Sequence, residues 1–260
     1  MPRFSTNISM MFTEHPFADR FAAARDAGFD KVEMQFPYDD AAEDIAASME
    51  AAGIGFVVFN LPVGDLREGG PGLAAMPGRQ AAFDEAIALG LRYAKILKPL
   101  NINVLAGWPP VDRFSRDQCL GVLADNLARA AAAFAEIGVR VLTEAVNTRD
   151  RPGYLVDSTA RAVAVLGRAG HPNLGLEHDI YHMQIMEGDL LETIRAHFDD
   201  IRHIQFADTP GRHQPGSGEI NFPFLFEALD DLSYPGWLGA EYVPTTGRTI
   251  DSLGWLTPYI

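Results

Sequence analysis

IRHIQFADTPGRHQPGSGEI, residues 201–220, begins as a strand and ends as a loop. Ile201, Ile204 and Phe206 supply the apolar part, His203 and Gln205 bring polar groups to the strand's end, and Pro210, Gly211, Pro215, Gly216 and Gly218 break whatever follows. A buried strand here delivers side chains into a loop. An apolar strand with a polar end recurs three times, each time with a carboxylate: Glu144 closes VRVLTE, Asp179 closes LGLEHD, and Glu241 follows WLGA. These ends lie about one strand plus one helix apart, so they can converge on one point.

Outward from that stretch, one phrase repeats: an alanine-rich helix, a glycine, a short apolar strand. FADRFAAARDAGFDKVEM turns at Gly28, EDIAASMEAAGIGFVVFN at Gly53, LARAAAAFAEIGVRVLTEA at Gly138 and TARAVAVLGRAGHPNLGLEHD at Gly170. A glycine just past a helix supplies the left-handed stop that other residues adopt only at a cost. Strands are expected near 3–8, 31–35, 55–60, 101–106, 139–145, 174–178, 201–206 and 237–242. Helices are expected near 17–27, 40–52, 77–95, 115–137, 157–169, 187–198 and 222–231, with Ser115 and Asp157 as N-caps of two of them. Alternating strands and helices imply parallel pairing through right-handed crossovers. Eight such units in 260 residues predict an α/β fold, a single (β/α)8 TIM barrel spanning residues 1–260 as one domain. No glycine-rich phosphate loop follows the first strand, which counts against a nucleotide-binding open sheet. The long connection at 60–80, NLPVGDLREGGPGLAAMPGRQ, leaves from a strand's carboxyl end and reads either as a lid or as a tolerated insertion.

Bulk properties narrow the function classes. The net charge is −14 with acidic residues spread along the chain, so the surface repels nucleic acid and anionic membrane alike. Cys119 is the sole cysteine, so no internal disulfide forms, and its helical setting makes it a buried structural thiol. The start, MPRFSTNISMMFTEHPF, has scattered apolar residues and no cleavage-like site, and no apolar run is long enough to cross a bilayer. The expectation is a cytoplasmic protein without nucleic-acid or membrane partners; a homo-oligomer is compatible with the sequence.

In a barrel of this kind the active site lies at the carboxyl ends of the strands. Glu144, Asp179, Gln205 and Glu241, from strands five to eight, would then surround one side of the mouth. Three anions gathered in a partly buried place need a cation, and oxygen donors suit a hard divalent ion, magnesium or manganese. Taken singly, each residue has a plainer reading as a solvated edge or a satisfied polar group; their succession is what argues for a site. Glu33 ends strand two and is left outside the set because it lies across the barrel. His182, just past the Asp179 strand, is placed to reach a substrate oxygen, whereas His203, one step deeper than Gln205, is expected in the core. His15, His171 and His197 are expected at the surface. Arg212 is the best cation for an anionic substrate, with Glu219 in the same loop placed to fix it.

Seven segments carry a resemblance: NISMMFTE (7–14), FNLPVGD (59–65), MPGR (76–79), LTEAVN (142–147), HDIYHMQIMEGDL (178–190), HIQFADTPGRHQPGSGEINF (203–222) and GAEYVP (239–244). Together they resemble the hydroxypyruvate isomerase family, within the sugar isomerase and epimerase barrels that also include tagatose epimerases and endonuclease IV. The resemblance implies a metal-dependent aldose–ketose isomerase with metal ligands at Glu144, Asp179, Gln205 and Glu241, the two glutamates also moving the proton, and His182 and Arg212 on the substrate. Its expected reaction interconverts hydroxypyruvate and tartronate semialdehyde through an enediolate. A small anionic hydroxy-oxo acid or sugar acid is the substrate class. The segment NVLAGWPPVDRF departs from the family's usual loop, and the loop after Gly64 also differs, which leaves 2-oxo-tetronate isomerase as an alternative. A ketose 3-epimerase is a further one, though those enzymes usually carry His where Gln205 stands. An endonuclease IV-like role would need more histidines and a basic face, and a non-catalytic sugar-binding barrel is the alternative from outside enzymes.

Overall fold

The computed structural model describes residues 1–110 and 112–260, so Val111 in the NVLAGWPPVDRF loop lies outside the described residues. Its eight strands are β1 (Phe4–Asn7), β2 (Lys31–Met34), β3 (Gly55–Asn60), β4 (Asn101–Asn103), β5 (Arg140–Glu144), β6 (Leu174–Asp179), β7 (Ile201–Phe206) and β8 (Leu238–Ala240). Each pairs in parallel with its sequence neighbour, and β8 returns to β1, closing the barrel. The helices are α1 (Arg20–Asp26), α2 (Ala42–Ala52), α3 (Gln80–Leu97), α4 (Arg116–Ala135), α5 (Thr159–Ala169), α6 (Ile180–Met186), α7 (Leu190–Ala196) and α8 (Phe222–Asp231). This is the expected (β/α)8 barrel. No helix among the described residues is long and apolar enough to cross a membrane.

Local signals act as expected at most junctions. Gly53, Gly138 and Gly170 all take positive φ just past their helices. Ser115 caps α4 through a full capping box with Gln118. Asp157 does not cap α5: Ser158 accepts the Arg161 N–H instead, and Asp157 pairs with the Arg161 guanidinium. The helix expected over 187–198 is shorter, and α6 precedes it, because Asp179 uses its own carboxylate as that helix's N-cap. Cys119 is buried on α4, as its pattern predicts.

The main core lies between strands and helices. Phe21, Phe29, Phe59, Leu123, Val141, Ile204 and Phe206 are essentially fully buried there. The barrel interior is different. Trp237, flanked by Arg3 and Lys31 at 5.2 and 5.9 Å from its ring, packs against a small cluster of Val57, Val58 and Leu142 in the middle of β3 and β5. Above it the interior turns polar, and Glu33 is its hub. Glu33 accepts from Ser5 Oγ (2.6 Å) and from Gln205 Nε2 (2.8 Å), and lies 2.9 Å from His203 Nε2. His203 is thus a core histidine, as expected. Glu33 comes from the other side of the barrel, as expected, and touches the strand-end set only through Gln205.

Candidate active site

Above this polar layer a cavity of about 620 Å³ opens at the strands' carboxyl ends, lined among others by Glu144, Gln205, Glu241, His182 and Arg212. Glu144 is the last residue of β5, Asp179 the last of β6, and Glu241 follows β8 by one residue. These residues are 6%, 1% and 5% exposed, respectively. The four strand ends singled out in the sequence therefore meet at one mouth. Burial first, and then the charges of Asp179 and Glu241, push the Glu144 carboxyl well above the usual carboxylate range. Asp179 and Glu241 are also raised, mainly by burial, with Arg212 acting in the opposite direction.

Arg212 lies between two of these groups. Its Nη2 is 2.5 Å from Glu241 Oε2 and 3.4 Å from Asp179 Oδ2, and its guanidinium stacks 5.2 Å from the Tyr181 ring centroid. Its backbone is left-handed, at φ 56°. Glu219 does not fix it: Glu219 accepts from Gln184 instead (3.2 Å), and the cavity's own carboxylates hold the arginine. The loop that carries Arg212 is organised by Asp208, which is fully buried. Asp208 accepts four backbone N–H groups, from Thr209 (2.9 Å), Gly216 (3.0 Å), Gly218 (2.8 Å) and Ile220 (3.1 Å). A side chain at Gly218 would meet the Thr209 carbonyl oxygen at 2.2 Å, so this closure requires glycine. Asp208→Ala, which strands these donors, is expected to cost about 3 kcal/mol. Thermal denaturation should show a Tm lowered by roughly 6–12 °C; a change of less than about 2 °C would mean that the loop holds itself.

His182 has a defined tautomer. Asn147 Oδ1 accepts the Asp150 N–H (2.7 Å), which fixes the amide's orientation and directs Asn147 Nδ2 to Asp150 Oδ2 (3.0 Å) and to His182 Nδ1 (2.7 Å). Nδ1 is therefore the acceptor. Burial and the Arg212 charge hold the imidazole well below its ordinary pKa, so the ring is neutral and carries its proton on Nε2. That N–H points between Glu144 and Asp179, 3.6 Å from an oxygen of each. Asp150 is itself braced by the Tyr181 hydroxyl (2.6 Å). Sequence reasoning missed Asn147 and Asp150, although they sit in NTRD directly after the Glu144 strand.

Ligand-type atoms of Glu144, Asp179 and His182 lie within 4.8 Å of one another; with His182 Nε2 protonated, the carboxylates are the members of this group able to hold a metal ion. Three buried carboxylates against one arginine leave negative charge uncompensated, and a divalent cation fits that deficit. Glu241 Oε1 already accepts from Asn7 (2.9 Å) and Gln35 (3.0 Å), while Gln205 turns its amide nitrogen to Glu33 and leaves its carbonyl oxygen for the cavity. From the 60–80 connection, Leu66, Arg67 and Gly69 line the cavity, and so does Trp108. His15 is exposed, and His171 and His197 are half-buried at the surface.

The family model for the xylose isomerase-like TIM barrel matches residues 21–259. The 2-oxo-tetronate isomerase of Cupriavidus necator is 46% identical over 260 residues, covering 100% of this chain and 99% of that one. The hydroxypyruvate isomerase of Escherichia coli K12 is 40% identical over 259 residues and the full length of both. A crystal structure described as an AP endonuclease, family 2, from Brucella melitensis superposes with a TM-score of 0.95 at 39% identity, covering 100% of this chain and 99% of that one. The chain belongs to the xylose isomerase-like TIM barrel family and is an isomerase of that family.

Proposed function

We propose that the protein moves a carbonyl between adjacent carbons of a small 3-hydroxy-2-oxo acid, with hydroxypyruvate and tartronate semialdehyde as the simplest pair. The observation that carries the reading is that two buried glutamates, Glu144 and Glu241, face one cavity with Asp179, an arginine and a neutral histidine donor around them. The names of the full-length relatives support the same chemistry. Glu144, Asp179, Gln205 and Glu241 would hold a divalent cation, magnesium or manganese, through oxygen. Such an ion, when bound, supplies Lewis-acid polarisation of a carbonyl oxygen.

One glutamate takes a proton from C3 of the substrate, and the C3–H electron pair becomes the C2=C3 double bond of an enediolate. A proton is then delivered to C2, and the O3 hydroxyl proton passes to O2, leaving an aldehyde at C3 and a hydroxyl at C2. The raised pKa of Glu144 and Glu241 suits this task, since a carboxyl held above its ordinary pKa is the stronger base when ionised. His182 Nε2–H donates to a substrate oxygen where charge develops. Arg212 Nε is buried without a partner, and this free donor would bind the substrate carboxylate.

The test is incubation with hydroxypyruvate in deuterated water, followed by NMR. Tartronate semialdehyde labelled at C2, with turnover abolished by a chelator and restored by magnesium or manganese, is the expected result. Unchanged substrate with every metal tried, or chelator-resistant turnover, would overturn the reading or its metal part, respectively.

A further inference from the structure

Beneath the ring of carboxylates lies one more acid that the proposed reaction does not use. Glu177 stands two residues before Asp179 on β6, on the same inward face of the strand. It is in register with Glu144 on β5 and His203 on β7. It is 2% exposed, lines the cavity, and its Oε2 has no hydrogen-bond partner. Two amide donors of the cavity floor are engaged elsewhere, Asn103 Nδ2 on Glu144 and Asn60 and Gln205 Nε2 on Glu33, and the His203 ring, although in register with Glu177, does not hydrogen-bond it. A buried carboxyl oxygen left bare is costly, and native proteins rarely retain one unless something arrives to meet it.

A substrate hydroxyl that reaches the cavity wall at Glu177 would meet that oxygen. In hydroxypyruvate, C3 bears only hydrogens besides its hydroxyl, so nothing extends past the reacting carbons. In the four-carbon homologue, 2-oxo-tetronate, C3 bears a CH2OH group. A cavity of about 620 Å³ has room for it. With the carboxylate at Arg212 and the reacting pair between Glu144 and Glu241, the remaining C3 substituent is the one free to point to the floor. We propose that Glu177 is a specificity residue that hydrogen-bonds the C4 hydroxyl, making a four-carbon 3,4-dihydroxy-2-oxo acid the preferred substrate. The inference rests on the isomerase reading above. It does not depend on the charge of Glu177, since a carboxyl group bonds a hydroxyl in either protonation state.

Sites built to bond a substrate hydroxyl discriminate strongly against analogues lacking it. The metal-loaded wild type is therefore expected to show kcat/KM for 2-oxo-tetronate about 100-fold above that for hydroxypyruvate. Glu177→Leu should collapse that ratio by at least about tenfold, and Glu177→Gln, which keeps polar atoms in place, should restore most of it. A wild-type ratio at or below unity, or an equal fall on both substrates in Glu177→Leu, overturns the proposal. Calorimetric binding of two non-reacting acids to the wild type, four-carbon erythronate and three-carbon glycerate, needs neither turnover nor a folded variant. Tighter erythronate binding without turnover of either substrate would sink the isomerase reading and leave the Glu177 contact standing, whereas equal affinities would overturn the contact whatever the turnover.

Discussion

Glu241→Gln is expected to lower kcat by about 10³-fold, within the range that removal of a positioned general base produces. Glutamine keeps the shape and can still accept from Asn7 and Gln35 through its carbonyl oxygen, but its amide then faces Arg212 Nη2, which now contacts Glu241 Oε2 at 2.5 Å. The variant loses the proton acceptor and sets donor against donor at one contact. Metal affinity should fall far less than turnover, because Glu144 and Asp179 remain, and manganese binding followed by electron paramagnetic resonance separates the two quantities. A variant that turns over near the wild-type rate would remove Glu241 from proton transfer. One that has lost manganese and turnover together would make it a ligand first and a base second.

The legible part of this molecule was whatever repeats. Helix, glycine and strand recur often enough to count eight units, and the carboxyl end of each strand could be marked from the point where apolar residues give way. That sufficed to place Glu144, Gln205 and Glu241 on one cavity, with Asp179 beside it against His182 and Arg212. What stayed hidden was decided by closure. Glu33 and Gln205 are 172 positions apart and bond only because the sheet closes on itself and both side chains enter the barrel interior. Glu177, two residues before Asp179 in LGLEHD, shares its face by strand alternation, but the string does not show that its carboxyl is left without a partner. His182 was legible as a donor, but the reason it donates lies with Asn147 and Asp150, whose hydrogen bonds fix the tautomer. The glycines and prolines after Phe206 announced a loop without revealing that Asp208 gathers it from within. Polar groups that organise other polar groups leave no periodic trace.

Glu144→Gln should inactivate the enzyme and at the same time stabilise the metal-free protein. Burial and the charges of Asp179 and Glu241 raise the Glu144 carboxyl above its unfolded value of about 4.3. Between those two pKa values the folded state binds more protons than the unfolded one, so stability falls as pH rises through that window, and the whole penalty is present above it. Glutamine removes this share of the penalty, and its carbonyl oxygen can still accept from Asn103 Nδ2, now 3.1 Å from Glu144 Oε2. With chelator present at pH 8, Tm should rise by about 3 °C or more. The gain should shrink as pH falls through that window and vanish below about 4.3, where the folded and the unfolded wild-type carboxyl are both protonated. Adding magnesium should reverse the order, because the cation stabilises the state with more carboxylates to bind it. Trading stability for a charged cluster is what an active site of this kind requires. If the metal-free variant melts below the wild type at pH 8 and the gap does not depend on pH, the three carboxylates do not repel one another, and the case for a cation among them fails.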